Sequence, residues 1–358
     1  NCGACGHSCA GGTCAAGLCA PTMLASNLES PAGIAVDGTN VYFTTLGQFT
    51  YLPPNTAQYA DDGAVMSIPK AGAASPTTIA TKQYQPGSIA VGDGTVYWAT
   101  TNTASNPAGS TTPVVQACPT SGCGVPTAPF ATATVTKIVA EGSSVYFLDG
   151  KGVERCSSTG CGDAGSSLLA GGAADFALDP TTLLVTTDDG STASIETCSL
   201  ASCTPSPLQS ASCTQVTVAV ALDAQNFYWY VDQYGTTGGC TPDLGNALMA
   251  CARPGCTSWQ SVAGSVERGE RIFVDEGQVF SVVNDASDRA IYETSTIGPS
   301  GVPFKIVDLG PPKSLNDGQE ILGVAFDSSR VYFTVSASSS LGQVAGNTAD
   351  GYVASAPR

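Results

Sequence analysis

The sequence is poor in the groups that most enzymes and nucleic-acid binders use. It has one histidine, His7, and only 13 lysines and arginines, and charged residues fill 12% of its 358 positions. A lone imidazole excludes multi-histidine metal sites, and no G-x-S-x-G nucleophile elbow is present. The 29 Asp and Glu residues leave a formal net charge of −16, which repels phosphate backbones and anionic lipid, so nucleic acid is not an expected partner. Long apolar runs are also missing. The longest, around Val216–Leu222, falls far short of the ~18 residues needed for a membrane span. No initiator Met and no charged-then-apolar leader stand at Asn1, which fits a chain whose signal peptide or larger N-terminal region has been removed.

Cysteine and repetition are abundant. Fifteen cysteines in regular spacings point to an oxidising compartment, so the chain is expected to be secreted, extracellular or on a cell surface. One phrase recurs seven times, as "PAGIAVDGTNVYFTT" at Pro31, "PGSIAVGDGTVYWATT" at Pro86 and "ILGVAFDSSRVYFTV" at Ile321, with further copies from Val135, Ala173, Val216 and Gly269. Each copy is a β-branched and aromatic run, an acidic or Gly turn, then a second such run, which is a β-hairpin signal. Between the hairpins come paired phrases such as "GAVMSIP" and "TTIAT", so each unit carries four short strands, A to D. Four-strand repeats of ~40 to 50 residues predict an all-β, seven-bladed β-propeller.

The seventh unit supplies A, B and C, the last being "GYVASAP", and then ends. Its missing D strand should resemble "TTIAT", and Thr22–Ser26 fits the slot just before the first A strand. An N-terminal strand is therefore expected to complete the last blade beside Gly351–Ser355, leaving no bare sheet edge there. The expected organisation is a Cys-rich disulfide knot over residues 1–20 and the propeller over 21–358.

The long connections are of the B–C type, and long loops on a rigid scaffold are where binding residues collect. The first is rich in aromatics, Phe49, Tyr51 and Tyr59, and the fifth blade adds Tyr230 and Tyr234 beside Asp232. Such residues either stack on a sugar or grip a peptide, or pack under their own loops. Acids at the A–B turns, Asp37, Glu141, Asp179, Asp223, Asp275 and Asp327, read as turn formers that accept local backbone hydrogen bonds. A calcium role needs six or more converging oxygens, and spacing the acids blade by blade spreads them apart. Acid pairs such as Asp61 with Asp62 and Asp188 with Asp189 are adjacent in sequence and read as solvated turn residues.

Four cysteine pairs share one spacing at the C–D turn: Cys118 with Cys123, Cys156 with Cys161, Cys198 with Cys203, and Cys251 with Cys256. Four intervening residues let a hairpin bring its ends within the ~5.5 Å Cα separation of a disulfide. Zinc competes as a reading of such pairs, but it needs four converging ligands and these pairs lie on different blades. Cys213 and Cys240 flank the B–C side of blade 5 and are expected partners. The N-terminal Cys2, Cys5, Cys9, Cys14 and Cys19 sit in Gly-filled gaps with no room for a hydrophobic core, so disulfides are favoured there over a site shared with His7. Five is odd, so one of these thiols is free, capped or joined to something outside the chain.

The run "NCGACGHSC" with its later cysteines resembles Cys-rich modules of secreted and surface proteins of myxobacterial type. The units "PAGIAVDGTNVYFTT…DGAVMSIPKAG…TTIAT" and "CPTSGCG" resemble the propeller repeats that often follow them. The resemblance covers nearly the whole chain and implies architecture; it transfers no catalytic residue. That module usually carries a sixth cysteine upstream, absent here. With no nucleophile–base pair, poised acid pair or metal set, no enzyme, cofactor or metal is expected. The expected function is a non-enzymatic extracellular propeller that assembles with itself as a surface or filament subunit. The alternative is a glycan- or protein-binding module that uses the B–C loops.

Overall fold

The computed structural model describes residues 9, 12–15, 17–52, 56–59, 62–72, 74–100, 114–131, 135–160, 166–188, 193–211, 216–232, 247–263, 271–275, 277–284, 288–295, 303–310, 319–336 and 351–358. Among them there is no helix, and the strands build seven four-stranded sheets, the blades of a β-propeller. In sheet order A–B–C–D, blade 1 is Pro31–Val36, Asn40–Thr45, Gly63–Pro69 and Thr77–Gln83; blade 2 is Pro86–Gly92, Thr95–Thr100, Val114–Pro119 and Thr127–Ala131. Blade 3 is Lys137–Glu141, Ser144–Asp149, Gly152–Ser157 and Ser166–Ala170; blade 4 is Ala173–Leu178, Thr182–Asp188, Ala193–Ser199 and Ser202–Ala211. Blade 5 is Val216–Leu222, Asn226–Asp232, Ala247–Ala252 and Trp259–Ala263; blade 6 is Arg271–Asp275, Gln278–Asn284, Arg289–Ser295 and Phe304–Asp308. The chain divides into two compact units, Asn1–Gly150 with Arg155–Ser166 and Pro311–Arg358, and Lys151–Glu154 with Ser167–Gly310.

Blade 7 is Glu320–Phe326, Arg330–Ser336, Gly351–Pro357 and, as strand D, the N-terminal Thr22–Leu28. The register sets Thr22 opposite Ser355, Met23 opposite Ala354, Ala25 opposite Val353 and Leu28 opposite Gly351. The sequence placed this strand at Thr22–Ser26, and the pairing runs two residues further. The glycine that opens strand C in blades 1 and 7 has a steric cause. A Cβ at Gly351 would lie 2.7 Å from the Leu28 carbonyl oxygen and would overlap Pro31; at Gly63 it would meet the Gln83 oxygen at 2.5 Å and Pro86 Cδ at 2.8 Å. In both blades the D-to-A connection crosses directly over the first residue of strand C, and only glycine fits beneath it.

Strand B carries the apolar payload. Val41, Tyr42 and Phe43 are fully buried, as are Val331 and Phe333, because a B strand is sandwiched on both faces and so reads as a continuous apolar run. Leu24, Tyr332 and Val353 of blade 7 pack with Ile34, Phe43 and Ile68 of blade 1. Ala35 and Tyr42 of blade 1 pack with Ile89, Val96 and Trp98 of blade 2. In the second unit, Leu184 and Ile195 of blade 4 meet Val220 and Trp229 of blade 5, and Tyr228 and Leu248 of blade 5 meet Ile272 and Val279 of blade 6.

A hydrogen-bond clasp accompanies this packing. The A–B pairing is shifted between Pro31 and Ile34 in blade 1, between Ile321 and Gly323 in blade 7, and between Ala173 and Asp175 in blade 4. Such bulges take backbone amides out of the ladder. A threonine on strand B recovers each one: Thr44 Oγ1 accepts the Gly33 N–H at 2.9 Å, Thr334 Oγ1 that of Gly323 at 2.8 Å, and Thr186 Oγ1 that of Asp175 at 3.0 Å. The same hydroxyl then donates to the next blade, from Thr44 to the Gly87 carbonyl at 3.0 Å and from Thr334 to that of Ala32 at 2.5 Å. Blade 2 has Ala99 where blade 1 has Thr44, and there Ser88 Oγ accepts the Ile138 N–H of blade 3 at 2.9 Å. Asp175 Oδ2 likewise takes the Val220 N–H of blade 5 at 3.0 Å.

Two outcomes follow from this packing. Leu24, 7% exposed in strand D of blade 7, contributes to the contact with blade 1; Leu24→Ala is expected to destabilise by ~2 to 4 kcal/mol in urea unfolding. Thr44→Val keeps the shape of a side chain with no exposed surface but strips both clasp partners. A loss of ~1 to 3 kcal/mol is expected, and an unchanged urea midpoint would show that the clasp contributes nothing.

Candidate functional site

Four acids of the A–B turns, Asp37, Asp179, Asp223 and Asp327, are consumed internally. Asp37 Oδ1 accepts the Thr39 and Asn40 amides, both at 2.7 Å, while Tyr42 donates its hydroxyl to Oδ2 at 2.7 Å. Asp223 repeats this with Gln225, Asn226 and Tyr228, and Asp327 with Ser329, Arg330 and Tyr332. The turn-forming role read from sequence holds at these positions; the tyrosine five residues on, which caps the second oxygen, is a signal the spacing carried and the sequence reading passed over. Asp179, in blade 4, takes Thr181 and Thr182 amides at 2.8 Å each.

Cations from the C–D turns finish these networks. Lys70 of blade 1 reaches Asp327 Oδ2 of blade 7 at 2.9 Å and lies over the Tyr332 ring, 5.4 Å from its centroid. Arg253 of blade 5 bonds Asp179 Oδ2 of blade 4 at 2.5 Å and Thr182 Oγ1 at 2.7 Å, donates to the Asp223 carbonyl, and covers the Phe227 ring at 5.0 Å. Burial by itself raises the Asp327 pKa, but the Lys70 ammonium, then the Ser329 amide, the Tyr332 hydroxyl and the Ser329 hydroxyl outweigh it and hold the carboxyl well below its ordinary range. Tyr332 is pushed up, first by burial and then by the carboxylate beside it. Asp37 and Asp179 are lowered in the same way, local donors outweighing desolvation. A carboxylate held ionised by several donors suits a structural clamp; a general acid needs the opposite shift.

The C–D turns are pinned covalently as well. Cys118–Cys123, Cys198–Cys203 and Cys251–Cys256 are disulfides with Cα separations of 5.6, 4.9 and 5.1 Å. Cys156 is disulfide-bonded, and Cys161 lies outside the described residues. In the N-terminal module Cys9 pairs with Cys19 at 5.2 Å, Cys14 is also bonded, and Leu18–Cys19 pairs with Cys14–Ala15 as a two-stranded ribbon. Cys2, Cys5, His7, Cys213 and Cys240 lie outside the described residues. Blade 6 carries no cysteine pair and joins its strands by charge: Lys305 on strand D reaches Asp288 Oδ1 at 2.9 Å and Asp308 Oδ2 at 3.2 Å, and Tyr292 donates to Asp288. Among the described residues no group of three or more His, Cys, Asp or Glu is placed to hold a metal ion.

The B–C side differs from this clamped side in one described element. After strand B of blade 1 the chain forms an additional hairpin, Phe49–Leu52 paired with Thr56–Tyr59, with Phe49 opposite Tyr59 and Tyr51 opposite Ala57. Its base is fastened where the Gln48 amide donates to Asp62 Oδ1 at 2.9 Å and the Leu46 amide to the Ser30 carbonyl at 3.0 Å. The structure thus gathers Phe49, Tyr51 and Tyr59 on one ribbon. It separates Tyr230 from them: that residue sits in strand B of blade 5, 1% exposed, in a core cluster with Tyr228 and Leu248. Tyr230 offers no ring to a ligand, because an aromatic within a strand B is covered on both faces. Asp232 ends that strand opposite Val216, and Tyr234 lies outside the described residues.

No protein-family model matches the chain, and no curated protein matches its sequence. Solved structures share the fold. The chain is similar to the tricorn protease at 8% identity and TM-score 0.57, over 88% of this chain and 33% of that one. It is similar to the N-terminal domain of Nup159 at 10% identity and TM-score 0.54, over 93% and 92%. A putative 6-phosphogluconolactonase from Bacteroides uniformis aligns at 13% identity and TM-score 0.52, over 82% and 90%. These proteins share the propeller and differ in what they do, so the likeness carries the fold alone.

The clamp predicts a pH dependence. Asp327→Asn is expected to cost ~1 to 3 kcal/mol at pH 7 through its charge-assisted bonds. A carboxyl with a depressed folded-state pKa stabilises fully above its unfolded value near ~3.9 and loses that contribution as pH falls below it. The gap between wild type and Asp327→Asn in urea midpoint should therefore shrink between pH 5 and pH 3, and a constant gap would remove Asp327 from the clamp.

Proposed function

We propose that this chain is an extracellular protein-binding scaffold without catalytic activity, and that its contact element is the Phe49–Tyr59 hairpin on the B–C side of blade 1. The hairpin carries the reading. It is built outside the four-strand repeat, is fastened at its base to Asp62, and concentrates Phe49, Tyr51, Leu52 and Tyr59 in a chain whose aromatic residues make up only 7% of the total. Aromatic-rich elements on a rigid support are the usual anchors of protein interfaces, since such side chains lose little conformational entropy on binding. A binder is favoured over an enzyme by the fate of the acids, since Asp37, Asp179 and Asp327 are held charged by turn amides and cations. Oxidised cysteines support an extracellular setting, where such bonds persist. No helix among the described residues is long and apolar enough to cross a membrane.

The test is a photo-crosslinker, benzoylphenylalanine, placed at Gln58 and, as control, at Thr39 on the A–B side. Incubated with the extracellular fraction of the source cells, the Gln58 protein should form a discrete adduct that the Thr39 protein does not. Replacing residues 49–59 by a short Gly-Ser linker should remove competition for that adduct while leaving the urea midpoint within ~0.5 kcal/mol of wild type. Equal adducts from both positions would overturn the assignment.

A further inference from the structure

We propose that the disulfides at the C–D turns of blades 2 and 5 are redox-sensitive latches between blades: each holds down a turn that closes over the outer strand of the preceding blade, and its reduction opens that contact. In the first unit the turn of blade 2 lies on strand D of blade 1. The Cys123 amide donates to the Ile79 carbonyl at 3.4 Å, and a Cβ at Gly122 would sit 3.8 Å from the same oxygen and 3.9 Å from that of Thr78. Cys118, 1% exposed, shares a cluster with Ile79 and Ala80 of that strand, and Cys123 packs against the cluster. The second unit repeats the arrangement. Cys251, 3% exposed, shares a cluster with Leu184 and Ile195 of blade 4, and Cys256 packs against it together with Leu208 from strand D of blade 4.

The crossing of one blade's turn over the last strand of another does not itself require sulfur. In blade 1 the C–D turn reaches blade 7, where a Cβ at Gly72 would lie 3.5 Å from Leu24 Cδ2, and Lys70 fastens it through Asp327. Blade 2 has Thr120 in the place of Lys70, since both follow the last residue of strand C and both donate their amide to the A–B turn of their own blade. With no cation at that place, the Cys118–Cys123 bond takes over the fastening. Blade 4 supplies a contrast. There Ser199 pairs with Ser202, so Cys203 lies inside strand D and the ladder holds the turn with or without sulfur. Cys123 and Cys256 lie between strands C and D, outside both.

One cysteine of each latch is open to a reductant: Cys123 and Cys256 are partly exposed, while Cys118 and Cys251 are buried. The thiolate of a dithiol bonds to Cys123 Sγ, the protein's S–S bond breaks, and Cys118 leaves as a thiolate that takes a proton. The second thiol of the reductant then displaces Cys123, so the protein gains two electrons and two protons while the dithiol becomes a cyclic disulfide. The freed cysteines still pack as small apolar side chains, so the clusters keep their contents. What is lost is the constraint on the turn, on the order of tenfold or more in its closed-to-open ratio for so short a loop. An oxidising compartment keeps the latches shut.

Amide hydrogen exchange of the full chain tests this with three paired substitutions: Cys118→Ala with Cys123→Ala, Cys251→Ala with Cys256→Ala and, as control, Cys198→Ala with Cys203→Ala. The first pair should speed exchange about tenfold in Thr77–Gln83 of blade 1, and the second should do the same in Ser202–Ala211 of blade 4. The control should act within its own blade. Should a substituted chain fail to fold, dithiothreitol titrated into wild type gives the same reading. Exchange in Thr77–Gln83 should then rise in step with alkylation of Cys118 and Cys123, and trypsin should begin to cut after the exposed Lys82. Acceleration confined to the blade that carries the turn overturns the inference. So does a Thr77–Gln83 strand that is unchanged once Cys118 and Cys123 are alkylated, or a bridge that resists dithiothreitol while the protein is folded.

Discussion

The structure depends on how its A strands satisfy their backbones. The A strands of blades 1, 2, 4, 5 and 7 are bulged against strand B, and their amides have no water to turn to where they are buried. At two steps of the first unit one hydroxyl does two tasks: Thr334 and Thr44 accept the amide freed within their own blade and donate to a carbonyl in the next. A buried amide without a partner costs ~1 to 3 kcal/mol, so the clasp matters through the penalty it avoids. It also fixes the angle at which blades meet, since a hydroxyl reaches only a narrow range of positions. The apolar clusters between blades then fill the space that this geometry leaves.

Charge is divided between the two kinds of turn. On the A–B and C–D side, carboxylates are committed to turn amides, tyrosine hydroxyls and the cations Lys70 and Arg253, and disulfides pin the C–D turns of several blades. Asp37, Asp179, Asp223 and Asp327 are thereby committed to partners inside the protein. In the B–C connection of blade 1, where the Gln48 amide is held by Asp62, the chain adds a ribbon that the repeat does not require. A ribbon with no charged residue and with Phe49, Tyr51 and Tyr59 on it suits the protein-binding reading.

Much of this was readable from the chain, for reasons that differ by residue. The hairpins were legible because β-branched and aromatic runs alternate with Asp-Gly and Asp-Ser turns at a fixed period. The last blade was legible because the end lacked the one phrase that the beginning supplied, and Thr22–Leu28 fills the place. The C–D cysteines were legible because four residues of turn set their distance. Tyr230 was misplaced because an aromatic near a loop and an aromatic at the end of a doubly covered strand look alike in sequence. The Asp–Tyr capping at Asp37, Asp223 and Asp327 was present in the spacing, but a five-residue offset becomes a contact only once the turn's path is known.

The sequence by itself determined the repeat, the number of blades, the turn chemistry and the strand that completes blade 7, because all of these are local patterns or their repetition. Tertiary structure alone decided that Lys70 meets Asp327, that Arg253 meets Asp179, and that Ser88 reaches the Ile138 amide of the next blade. Those pairs lie far apart along the chain, and side-chain reach across a blade boundary depends on the twist and separation of two sheets, which no local pattern encodes.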